Sequence, residues 1–553
     1  MSMSRTNRQA ATASKYRIEH DPLGDVRVPA AALYGAQTQR AVENFPISGL
    51  TAHPELIRAT ILIKKAAADA NASLARLDAD IANAIIDSAD EILRGAYRDQ
   101  FVVDVYQAGA GTSHNMNTNE VLANLANERL GGTRGEYQHV HPNDHVNMGQ
   151  STNDVFPTAT RLALLTSLPA VVDAANALAA SLARKSDEFA GVLKTGRTHL
   201  QDAVPITLGQ EFGGFAANVR HAIVDLERAA TSLHELNLGA TAVGTGLNAG
   251  DDFTERAIAH LADDTGLPLR PADDRFRVTQ SMGDVLAVSA TLRRLAVEVS
   301  KIASDLRLLS MGPRAGIAEI RLPPVQPGSS IMPGKVNPSV PEMVNQVCYQ
   351  VMGCDAVVLA GADAGHLELN VMMPVIAWNA LHATRILANA IRVLDERCVA
   401  GIEADEARCR ELLDRSTAVA TALSPYIGYA ETAGIAKLAV ETGRTIRELV
   451  LERGLLDASR LDAILSAAAM TTPGVPGHNK GIRAGKPTTA HRARDTRDAG
   501  GIRQPGARPG AASARTPVPA AGSRPARGAG SREVPAAGAD HGSSRHRRGQ
   551  PRR

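Results

Sequence analysis

Apolar residues recur at Val285, Val288, Leu292, Leu295, Val299, Ile302, Leu306 and Leu309, in steps that alternate between three and four. That spacing keeps one stripe of an α-helix apolar over about seven turns and suits long helices packed at a shallow angle. Asp284 is placed to cap the start of this helix, and Gly312-Pro313 to end it. Long helical segments of the same kind dominate from about residue 147 to 394. Before them, from Tyr16 to Val146, the pattern is mixed, with short elements and one helical region around Pro54 to Arg94. After them a smaller helical unit runs from Ile402 to Ala469, with Thr445 and Glu448 as a capping box and Gly443 suited to close the preceding helix. No internal repeat interrupts this order. The expected fold is mainly α, built on a central long-helix bundle. Its boundaries are a disordered tail over 1–15, an N-terminal domain over 16–147, the bundle over 148–402, a small helical domain over 403–475 and a second tail over 476–553.

Composition sharpens the picture of the core. Only 3% of the 553 residues are aromatic against 44% hydrophobic, so the core is aliphatic and alanine-rich. The formal net charge of +2 conceals a division. Residues 481–553 hold 15 Arg and one Lys against three Asp and one Glu, a net +12 that leaves −10 on the rest. The acidic body has no general attraction for nucleic acid. The tail itself has no Leu, Phe, Tyr, Trp, Met or Cys and is expected to be disordered. Its composition is also what a GC-rich gene yields when read past a frameshift. Cys348, Cys354, Cys398 and Cys409 form no CxxC pair, which suits reduced thiols in the cytoplasm. No apolar run is expected to span a membrane. The first 18 residues carry Arg5, Arg8, Lys15 and Arg17 with no acid, which reads as a short tail, with a transit peptide as the alternative.

Four segments have the wrong texture for a core and carry the candidate chemistry. They are Gly109 to Glu120, His141 to Asp154, Thr195 to Asp202, and the loop Gly328-Ser329-Ser330-Ile331-Met332-Pro333-Gly334-Lys335-Val336-Asn337-Pro338. Each is dense in hydroxyl, amide and imidazole groups beside the start of a helix. Capping and turn chemistry accounts for many such runs taken singly. Familiar motifs are absent: Gly109 and Gly111 lack a third glycine and a βαβ setting, His141 and His145 lack a completing ligand for zinc, and no Walker or nucleophile-elbow pattern occurs. No metal site and no cofactor is expected, and Mg²⁺ activation leaves no readable signature.

Together the four segments resemble the aspartase/fumarase superfamily over about Arg17 to Pro473, the loop at 328–338 being similar to its signature. Val336, where other branches carry a second basic residue, points to the aspartase and class II fumarase branch. Arg17 to Gly24, Leu200 to Pro205 and Val340 to Cys348 resemble aspartase. Tyr34 to Arg40 looks more like fumarase, and Met373 stands where aspartases often have an acid. The resemblance implies a three-domain lyase that assembles as a homotetramer around its bundles, each site drawing on three subunits. The implied reaction is elimination of ammonia from aspartate to give fumarate, with water from malate as the alternative. Ser329 is the implied base. Lys335 and Asn337, with Thr198, are assigned to the α-carboxylate. Thr112, Ser151, Thr152 and Ser330 are assigned to the β-carboxylate, Asn153 and His199 to the amino group, and Met332 to the substrate-binding set. Glu342 is the implied partner that raises the basicity of His199.

Overall fold

The computed structural model describes residues 15–478. All but the inner few residues of the two tails expected at 1–15 and 476–553 lie outside that span. The eight apolar positions of the seam are all buried on one helix, α9, Gly283–Leu309. Its capping differs from expectation. Met282 occupies the cap without a side-chain bond, and Asp284 sits inside the first turn.

Asp284 turns instead towards a neighbouring helix, α5, Thr152–Glu188, where its Oδ2 lies 2.6 Å from Nε of Arg161. Arg161 is fully buried, and its remaining donors reach Asn237 Oδ1 at 3.1 Å and the Val278 carbonyl at 3.1 Å. A buried guanidinium needs this full set of acceptors.

Five long helices close a ring. α5 packs on α6 (Leu208–Ala230), α6 on α9, α9 on α10 (Ser339–Asp363), α10 on α11 (Met373–Arg397), and α11 back on α5. The core between them is aliphatic, as the composition implies, with Val288, Leu292, Val299, Leu306, Val344, Val351, Ile376, Leu381 and Leu387 at 1% exposure or less. The expectation that no apolar run can span a membrane needs correcting. α5 contains an 18-residue window of mean hydropathy 1.6, long and apolar enough to cross one. Here 56% of that window is buried, with Leu162, Leu164, Leu178 and Leu182 fully buried beside Arg161.

The N-terminal part holds a hairpin of β1 (Tyr16–Asp21) and β2 (Gly24–Pro29), then α1 (Ala36–Asn44). The helical region expected around Pro54 to Arg94 consists of two helices, α2 (Pro54–Ser73) and α3 (Ala79–Leu93). Ala75 at φ 55° breaks the first, and Asp78 caps the second through bonds from the Asp80 and Ile81 N–H groups. The polar run from Gly109 also departs from expectation. From Thr112 it is already a helix, α4, Thr112–Arg129, with every residue from Ser113 to Asn127 buried.

Asparagine is a weak helix former, but here tertiary bonds override propensity. Asn117 ties down Gln100 and Val102, Asn124 ties Leu33 and Gly135, and Asn127 ties His139 and Val140. Glu120 accepts the Gly35, Gln37 and Thr38 N–H groups that open α1.

Between α6 and α9 lie α7 (Asp251–Thr265) and the short α8 (Arg275–Gln280). At the C-terminal end, the helices between Glu406 and Met470 pack on a core of their own, which includes Leu413, Leu423, Ile435, Leu449 and Leu461. The capping box is as read: Thr445 Oγ1 accepts the Glu448 N–H at 3.2 Å, and Glu448 Oε2 accepts the Thr445 N–H at 2.9 Å. Gly443 closes the preceding helix at φ 69°.

Replacing Asp284 by Ala strands the Arg161 charge inside the ring. It is expected to cost about 3–5 kcal/mol of stability, read as a lower denaturant midpoint at unchanged m-value.

Candidate active site

The N-termini of α4 and α5 meet. Gly111, at φ 86°, brings the chain into α4 so closely against Phe156 that a Cβ there lies 2.1 Å from its ring. Only glycine fits, and the next residue, Thr112, leaves its side chain exposed at the helix start. At the start of α5, Ser151 Oγ accepts the Asn153 N–H at 3.2 Å while Asp154 Oδ1 accepts the Ser151 N–H at 3.0 Å. Asn115 Nδ2 joins the two helix ends by donating to Thr152 Oγ1 at 3.1 Å. Ser151, Thr152 and Asn153 are half-buried, and the positive ends of two helix dipoles make this corner attractive to an anion.

Thr198 and His199 stand on a hairpin. β3 (Leu193–Thr198) and β4 (Gln201–Thr207) pair antiparallel, with Thr198 opposite Gln201. The two-residue turn between them is His199-Leu200, at φ 55° and 57°. Both central residues of such a turn have positive φ, a form that favours Asn and Gly. Leu200 is 75% exposed, so packing does not explain the choice. The base of the hairpin is held rigidly. Glu319, fully buried, takes both Nη atoms of Arg197 at 2.9 Å and Lys194 Nζ at 3.2 Å, while Lys194 also meets Glu211 at 3.0 Å.

The loop at 328–338 is non-helical and projects from the body, with Ser330, Met332 and Lys335 exposed and Ser329 and Asn337 half-buried. It closes on itself. The Gly328 N–H donates to the Lys335 carbonyl at 2.9 Å and Asn337 Nδ2 to the Gly328 carbonyl at 2.8 Å. Lys335 Nζ reaches Asn337 Oδ1 at 2.9 Å. Ser329 Oγ accepts two backbone N–H groups, from Ile331 at 3.2 Å and Met332 at 3.0 Å. Donors aimed at a hydroxyl oxygen favour its ionised form. The loop runs directly into α10, where Ser339 begins the helix and Glu342 lies in the first turn.

Within one chain the structure joins Thr112, Ser151, Thr152 and Asn153 in one corner and groups Ser329, Ser330, Met332, Lys335 and Asn337 in another. Thr198 and His199 form a third. Among the described residues no hydrogen bond or ion pair links the three, and none joins His199 to Glu342. The zinc-like spacing of His141 and His145 serves local structure, since Nδ1 of each accepts a backbone N–H.

One contributing segment escaped the sequence reading. Asn237 to Gly250 has six residues at positive φ, among them Thr241 at 57°, and docks on the start of α5. Asp154 Oδ2 accepts the Gly239 and Thr241 N–H groups at 3.1 and 2.8 Å, and Asn153 Nδ2 donates to the Ala242 carbonyl at 2.8 Å. Its run of Gly, Thr and Asn was the available signal.

A ring of long helices carrying polar, anion-seeking corners at helix ends defines a helical lyase. The chain belongs to the aspartase/fumarase lyase family: the family described as Lyase matches residues 24–353, and that described as Fumarase C C-terminus matches 419–472. It is similar to an aspartate ammonia-lyase of Pseudomonas aeruginosa, 51% identical over 83% of this chain and 97% of the relative. The aspartate ammonia-lyase of Bacillus subtilis is 48% identical over 84% and 98%. Among solved structures, a fumarate lyase:delta crystallin from Brucella melitensis bound to cobalt matches with a TM-score of 0.80 at 52% identity, covering 83% of this chain and all of that one. A class II fumarase from Schistosoma mansoni matches with a TM-score of 0.80 at 35% identity, over 84% and 100%.

His114, just inside α4, is 2% exposed, with Nε2 2.9 Å from Thr60 Oγ1 and its ring edge-on to Phe156. Burial, reinforced by the Lys64 charge, pushes its pKa down to about 4. The folded protein therefore keeps it neutral while the unfolded chain protonates it below about 6.5. Stability is expected to be full above that pH and to fall as the pH drops towards 4, by on the order of 3 kcal/mol. Urea midpoints at neutral and acid pH will show the loss, and His114→Gln will flatten it.

Proposed function

We propose that this chain catalyses the reversible elimination of ammonia from L-aspartate to give fumarate, with Ser329 as the base. The observation that carries the reading is the pair of backbone N–H groups on Ser329 Oγ, which stabilise the alkoxide a serine base requires. The aspartate ammonia-lyases matched along nearly their whole length support ammonia as the leaving group.

Ser329 Oγ takes the Cβ proton, and the electron pair passes into the β-carboxylate to give a dianionic aci-carboxylate. Hydroxyls of Thr112, Ser151, Thr152 and Ser330 surround that carboxylate, with the α4 and α5 N-terminal dipoles behind them. Collapse of the aci-carboxylate forms the C=C bond and breaks C–N. The substrate's ammonium group takes the pair and departs as neutral ammonia, so no general acid is needed. Asn153 has its Nδ2 engaged with Ala242, which leaves Oδ1 to accept from the ammonium, with His199 beside it. Lys335, held against Asn337, and Thr198 grip the α-carboxylate, and Met332 contacts the substrate. Every step is assigned to protein groups, with no metal or cofactor in it.

The three separate corners support a site built from three subunits of a homotetramer, in which Glu342 of one copy would back His199 of another. Apolar side chains left exposed on the ring helices, Val224, Val297, Tyr349, Val357 and Leu359, support covering by further copies. The four cysteines are buried and unpaired, in keeping with a cytoplasmic enzyme.

Following fumarate by its ultraviolet absorbance with aspartate and then malate tests the leaving group. Turnover of malate alone would replace ammonia by water in this reading. Ser329→Ala is expected to keep the wild-type oligomer while kcat falls at least about a thousandfold. Retained turnover would remove Ser329 from the base role.

A further inference from the structure

Beneath the carboxylate corner lies a cation that the reaction above does not use. Lys64, on α2, is fully buried, and among the described residues no carboxylate comes within ion-pair distance of its Nζ. Its ammonium donates to Asn147 Oδ1 at 2.8 Å and Gln150 Oε1 at 2.9 Å, both neutral acceptors. Asn147 Oδ1 also receives Nδ2 of Asn115 at 3.2 Å and of Asn119 at 3.3 Å. The second N–H of Asn115 goes to Thr152 Oγ1 at 3.1 Å.

An ammonium has donors and no acceptors, so it dictates the direction of every bond that follows. Lys64 turns the oxygen of Asn147 towards itself. That oxygen holds the amino face of Asn115, and Asn115 in turn donates to Thr152. A hydroxyl whose oxygen already accepts inside the protein directs its proton outwards, into the corner where α4 and α5 begin. A buried, unpaired lysine is costly for stability alone. Burial pushes its pKa down to about 7, against the charge of Asp154 on α5, itself pushed up to about 7 by burial. His114 on α4 is the other titratable group that feels its charge.

We propose that Lys64 is a positioning residue of the elimination, fixing the Thr152 hydroxyl as a donor to the substrate's β-carboxylate through Asn147 and Asn115. This rests on the assignment of Thr152 to that carboxylate.

The test is a double-mutant cycle on the full-length enzyme, with aspartate as substrate. Lys64→Met is expected to lower kcat about 100-fold, the scale of a lost oxyanion donor, with KM changed less than about 5-fold. In a Thr152→Val background the same substitution is expected to change kcat less than about 3-fold, because its target is gone. A role in folding alone would give equal losses in both backgrounds. Wild-type kcat in Lys64→Met, or an undiminished loss beside Thr152→Val, overturns the proposal. Should Lys64→Met fail to assemble, Asn115→Leu breaks the same chain one bond later and is held to the same two outcomes. A wild-type enzyme that forms no fumarate from either aspartate or malate would remove the parent reading. Turnover by the wild type with unchanged Lys64→Met removes only the lysine.

Discussion

Closing five long helices into a ring whose core is mostly aliphatic, with a few phenylalanines, is the constraint on which the rest depends. Aliphatic and alanine-sized residues allow close approach along the helices but give little grip at their ends. The ends are therefore tied by polar means: Arg161 to Asp284, Asp154 to the Gly239–Thr241 backbone, and Glu319 to Arg197 and Lys194. Held helix starts and a held hairpin base follow from those ties, while the loop at 328–338 is held by bonds of its own.

The polar ties also explain the look of the chemistry. A corner made of hydroxyls and helix N-termini gathers negative charge without a fixed cation at its surface. The ionisable groups that the fold buries there, Lys64 and Asp154, sit one layer back, hydrogen-bonded to amides. The groups proposed to react are left at the tips of the hairpin and loop, the hairpin held by Glu319 and the loop closed on itself.

What the chain disclosed by itself follows the range of the interactions concerned. The α9 seam and the Thr445–Glu448 box are local, and their periodicity and spacing sufficed. The polar run from Thr112 was expected beside a helix start and is itself the helix, because its asparagines bond to loops far away in sequence and propensity carries no trace of that. Asp284 was read as a cap because its partner lies 123 residues earlier. The polar texture and the family signature marked out the loop, the hairpin and the α5 start. They did not reveal Glu319, the 237–250 segment or Lys64, whose roles exist only once distant elements meet. The count of long apolar runs missed α5 for the same reason, since a helix buried in a ring and one buried in lipid share a composition.

The hairpin turn carries a consequence for how such a protein can change. His199-Leu200 occupies two positions where Asn-Gly is the more comfortable pair, and one of them is a proposed contact of the substrate's amino group. Substitutions that relax the backbone at that tip are the ones a search for thermal tolerance would collect first. A gain made at His199 exchanges the proposed contact for a better-behaved bend, while one made at Leu200 leaves the imidazole in place. Robustness and turnover therefore compete at one residue of the pair, and the other is free to change.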